Sequence, residues 1–159
     1  MNITDYVANQ TIRIAEAFAD FISSTEEDRL LWKIEVENGT QTRSIFELVG
    51  ECVGVNRGFV TLLKGEKLNT PTGGWQHITV ENSQKAKQLL LESATELANA
   101  IRSLSPEDLE KTFQHPRGPV LGENFILMPC RNMTYHAGQI NFIQTLYGDS
   151  VFHFPPNWL

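Results

Sequence analysis

The sequence predicts an all-α protein, a four-helix bundle with long loops. Two observations carry this. Four long segments repeat apolar side chains every three or four residues, the period of a helix that buries one face. Their ends carry helix punctuation: Ser44 followed by Glu47 is a capping-box pair, and Gly148 follows the last apolar repeat.

The first segment runs from Ile3 to Ser23, with Ile3, Val7, Ile14, Phe18, Phe21 and Ile22 on its apolar side. Ser24 to Arg43 then holds Trp32 and one weak helical turn, Glu26 to Leu31. The second helix runs from Thr42 or Ser44 to Lys64, with Ile45, Leu48, Cys52, Val55, Phe59 and Leu62 in register. Gly65 to Asn82 contains Pro71, Gly73 and Gly74, and reads as a long surface loop bearing Trp75 and His77. The third helix starts near Ser83 and carries Ala86, Leu90, Leu97, Ile101 and Leu104. Ser105-Pro106-Glu107-Asp108 is a further helix start. Lys111 to Phe113 and Val120 to Leu121, on either side of His115 to Pro119, are expected to pair as a small irregular hairpin. The fourth helix spans Glu123 to Tyr147. Pro129 either kinks it or marks its true start, because proline is tolerated in a first turn. These helices imply an antiparallel bundle, although the long second connection allows other topologies.

A chain of 159 residues, 41% apolar and 20% charged, fits one domain over 1–159. The tail, 149–159, is rich in Phe, Pro and Trp and is expected to pack on the body or on a second subunit. Thirteen Lys and Arg against nineteen Asp and Glu give a net charge of −6, without the clustered cations that nucleic acid requires. No stretch approaches the roughly 20 apolar residues of a membrane span, and no secretory signal is evident. The expectation is a soluble, cytoplasmic protein with no nucleic-acid or membrane partner. Cys52 and Cys130 could form one disulfide in principle. In a reducing compartment they are small core apolars instead.

Few residues point to chemistry. Gly50, Gly54 and Gly58 recur every four residues within the second helix, at a cost of roughly 2–3 kcal/mol in helix propensity. Close approach must compensate, whether of another helix at a core or dimer seam or of a ligand over the backbone. Gly54 and Gly58 are thus candidate pocket residues. Glu51 lies within about 60° of Leu48 and Val55, either a boundary carboxylate in water or an inward charge needing a partner or metal. Asn132, His136 and Gln139 share a stripe of the last helix beside Met133, Ala137, Ile140 and Ile143, forming a buried network or the wall of a site. No His-x-x-x-His pair, Cys-x-x-Cys, phosphate loop or Gly-x-Ser-x-Gly elbow occurs.

The segments Ser44-Ile-Phe-Glu-Leu-Val-Gly-Glu51 and Thr134-Tyr-His-Ala-Gly-Gln-Ile140 resemble the DinB-like superfamily, over nearly the whole chain. The resemblance implies a four-helix bundle, commonly a homodimer, which in many members holds nickel or zinc through three histidines. Some relatives are thiol-dependent S-transferases or isomerases. Carried over by position, His136 retains one ligand, while Asn132 and Glu51 stand where the other two histidines are expected. Imidazoles hold zinc or nickel better than an amide oxygen does. The expectation is therefore a degenerate site at Glu51, Asn132 and His136 with no tightly bound metal. The chain then reads as a homodimeric small-molecule-binding or interaction protein of unassigned activity. The alternative is a nickel- or zinc-dependent thiol S-transferase with Glu51 and His136 as ligands and Asn132 orienting the substrate.

Overall fold

The structure, a computed structural model, describes residues 2–70, 74–151 and 153. In chain order it contains α1 (Ile3–Ser23), α2 (Ile45–Leu63), α3 (Ser83–Arg102), α4 (Pro106–Leu109), β1 (Thr112–His115), β2 (Gly118–Leu121), α5 (Gly122–Phe125) and α6 (Met128–Leu146). Most of the described chain is helical, in a bundle of the expected class. Most of the tail lies outside the described residues.

Side chains at the helix starts satisfy orphan amides. Asn2 accepts from the Asp5 amide, Asn82 from that of Lys85, and Ser44 and Glu47 close a reciprocal capping box. A second box, Ser105 with Asp108, starts the single turn of α4 behind Pro106. The last long helix begins at Met128, with Pro129 in its first turn, so the segment before it folds as the separate turn α5. The hairpin extends further than expected. His115 pairs with Gly118 across a two-residue turn, and Gly118 takes a positive φ of 122°.

The four long helices do not alternate in direction around the bundle. α1 and α2 each pack against both α3 and α6. One core joins Ile14–Ile22, Ile45–Val53, Ala86–Ala94 and Met133–Ile143, and the other joins Val7, Val55–Leu62, Leu97–Ile101 and Phe125. Hence α2 and α3 run parallel, as do α1 and α6, and neighbouring pairs between these two sets are antiparallel. A parallel α2–α3 pair obliges the intervening chain to travel back along the bundle.

That return path explains the glycines. A Cβ on Gly50 would strike the carbonyl oxygen of Ile78, and one on Gly54 that of Gln76; at Gly58 it would lie 2.5 Å from the Trp75 ring. The spacing is geometrically matched. Four helical residues rise about 6 Å, close to the roughly 6.6 Å covered by two extended residues. Glycines every fourth residue thus meet carbonyls every second residue. The close approach is made by the chain's own 74–78 segment, not by another helix. Where it ends, Trp75 stacks on Phe59 with centroids 5.1 Å apart, and Phe59 also meets Phe125 at 4.5 Å.

Candidate functional site

Glu51 on α2 and Asn132 and His136 on α6 come together, because the antiparallel α2–α6 pair sets them face to face. His136 is 1% exposed. Its Nδ1–H donates to Gln139 Oε1 at 2.6 Å, one helical turn along the same stripe. In the neutral ring Nε2 is then an acceptor, and the Asn132 Nδ2 amide donates to it at 3.2 Å. Asn132 Oδ1 in turn accepts from the Cys52 thiol at 3.5 Å. The result is a directed chain of hydrogen bonds, Cys52 to Asn132 to His136 to Gln139.

Glu51 joins at the side. Its Oε1 lies 3.2 Å from His136 Nε2, and its other oxygen is ion-paired with the Arg43 guanidinium. The carboxylate is half-buried, so it is neither a solvated boundary group nor an unpartnered inward charge. Arg43 was not among the residues the sequence singled out. The sequence carries little signal for it, since Arg43 precedes the Ser44 N-cap and lies outside the helix that bears Glu47 and Glu51. Glu47 is taken by Lys33 at 2.6 Å and by its capping role, which leaves Arg43 for Glu51.

Burial holds the His136 imidazole below the ordinary histidine value; the bond to Gln139 opposes this, and the Arg43 charge adds to it. Burial likewise pushes the Cys52 thiol far up, and that of half-buried Cys130 up, so neither is a ready thiolate; both are free. The lowered histidine has a consequence for stability. The unfolded chain binds a proton below about pH 6.5 that the folded ring resists, so stability should fall as pH drops through that value. His115, lowered by burial and by Arg117, adds in the same direction. His136→Gln should flatten part of this acid limb. Urea unfolding at several pH values reads it, and an unchanged limb would rule out the neutral buried ring.

Glu51 Oε1 and His136 Nε2 are the two atoms placed to share a cation. Among the described residues no three His, Cys, Asp or Glu side chains form a metal-sized group. Gly54 and Gly58 lie elsewhere, lining a pocket of about 290 Å³ with Arg57, Thr61 and Gln76. Gln139 is at the network, not in that pocket. The outer face of α6 exposes Tyr135, Phe142 and Leu146. No helix among the described residues is long and apolar enough to cross a membrane.

No curated protein matches the chain. The sequence profile of the DinB superfamily does match, over residues 10–140, which takes in most of α1, all of α2 and α3, and the network on α6. By that match, on a bundle of the expected class, the chain belongs to the DinB superfamily.

Proposed function

We propose that this chain is a small-molecule-binding or interaction protein on the DinB scaffold, in which the hydrogen bond between Asn132 and His136 and the ion pair between Arg43 and Glu51 stand in place of a metal centre. The ion pair between Arg43 and Glu51 carries the reading. A divalent cation at Glu51 Oε1 and His136 Nε2 would sit beside a guanidinium already neutralising that carboxylate. The Nε2 lone pair that a metal needs is engaged by the Asn132 amide. Cys52 offers a protonated thiol, and an amide oxygen is a poor third donor for nickel or zinc. The residues present therefore do not fit a tightly held divalent ion.

Elemental analysis of protein purified without an affinity tag, loaded with nickel or zinc and gel-filtered, should find substoichiometric metal. The triple variant Arg43→Ala, Glu51→His, Asn132→His should retain about one ion per chain, since it restores three imidazoles and removes the competing cation. Stoichiometric metal in the unmodified protein would overturn the proposal.

That outcome would favour the second reading, a metal-dependent thiol S-transferase. It is supported by the 3.2 Å approach of Glu51 Oε1 to His136 Nε2. There His136→Ala should remove metal and thiol transfer together.

A further inference from the structure

A larger cleft, about 720 Å³, opens at the other end of α2, between its C-terminus and the β1–β2 hairpin. Its volume lies within the range of small-molecule sites, roughly 300–1,000 Å³. Leu62, Leu68, Leu104 and Phe113 supply apolar walls. Lys64 and Lys67 stand at the rim, and neither side-chain ammonium has a hydrogen-bond or ion-pair partner among the described residues. Lys111 also lines the cleft, but Asp108 holds it at 2.7 Å. Glu66 is the remaining rim carboxylate. Two unpaired ammoniums against one carboxylate make the rim locally positive on a chain of net charge −6.

His115 adds a directed donor. Its Nδ1 accepts the Arg117 backbone N–H at 3.1 Å, so the proton of the neutral ring sits on Nε2. That N–H has no partner among the described residues. The ring is held by Trp75, Phe59 and Phe125, with centroids 5.4, 6.0 and 6.5 Å away.

We propose that this cleft binds a small amphipathic organic anion, an aromatic or aliphatic body ending in a carboxylate. The body would lie against the leucines and Phe113, with the head group between the rim ammoniums and the His115 N–H. A carboxylate is an acceptor-only group matched to donors of this kind, whereas an amine or a neutral alcohol leaves them unanswered. The site is separate from the Glu51–His136 network and does not depend on how that network is read.

The test is a titration of the full chain with 2-naphthoate, followed by amide chemical shifts. Shifts should map to Lys64–Leu68, Leu104 and Thr112–Pro116. Lys67→Glu combined with Lys64→Gln, both at exposed positions, should weaken binding about tenfold. His115→Phe, which keeps an aromatic ring but removes the donor, should weaken it by a similar factor. The uncharged methyl ester should bind correspondingly less well. Shifts centred on Tyr135 and Phe142, equal affinity for acid and ester, or affinity unchanged by the lysine substitutions would each overturn the proposal.

Discussion

Replacing Gly54 by alanine is expected to lower the unfolding free energy by about 2 kcal/mol, although the same change adds about 1 kcal/mol of helix propensity. The methyl would clash with the Gln76 carbonyl oxygen, which is backbone and cannot swing aside as a flexible side chain would. The 74–78 segment must lift, and Trp75 is pulled from Phe59 with it. Gly138 is the internal control. It lies in the interior of α6 on an exposed face, and a Cβ there meets nothing within 4 Å. Gly138→Ala should therefore stabilise by roughly 0.5–1 kcal/mol. Urea denaturation measures both, and opposite signs are required. Light scattering should give the same mass for Gly54→Ala as for the unmodified chain, because this face is covered by the chain's own return segment. A loss of mass with stability unchanged would restore the glycines to a dimer seam.

Phe59→Ala is expected to be the most costly single change, about 3–5 kcal/mol. Phe59 is 1% exposed and sits where four parts of the chain meet: Trp75 of the return segment, His115 of β1, Phe125 of α5 and the apolar face of α2. The cavity left cannot collapse easily, since each neighbour is fixed by a different element. Hydrogen exchange should show the hairpin amides losing protection beyond the global loss of stability. Equal loss at both ends of the bundle would mean that Phe59 contributes burial alone and does not tie the hairpin to α2.

How far the site was legible depends on how local its determinants are. Asn132, His136 and Gln139 are recognisable as one stripe because a single helix relates them by a fixed rotation. That Asn132 donates to Nε2 while Gln139 accepts from Nδ1 follows from side-chain rotamers, which helical spacing alone does not specify. Arg43 was missed because it lies outside α2, before its N-cap. Its pairing with Glu51 depends on Lys33, from the preceding connection, having taken Glu47. His115 carried no motif at all. Its interest arises only when a turn amide claims Nδ1 and three aromatic rings from α2, the return segment and α5 converge on it.

The sequence by itself determined the four long helices, the capping box at Ser44 and the short helix start at Ser105, the hairpin before the last helix, and the membership of Glu51, Asn132 and His136 in one neighbourhood. Each of these is set by apolar period, short-range hydrogen bonding or a family motif, all readable within a few turns. Tertiary structure alone decided the parallel α2–α3 pairing and therefore what lies on the glycines. A helical stripe of glycine specifies close approach but not the approaching group, which here is backbone of the chain's own loop. It also decided which cation pairs with Glu51. The guanidinium of Arg43, brought in from outside the helix, pairs with a carboxylate that lies 3.2 Å from the His136 ring.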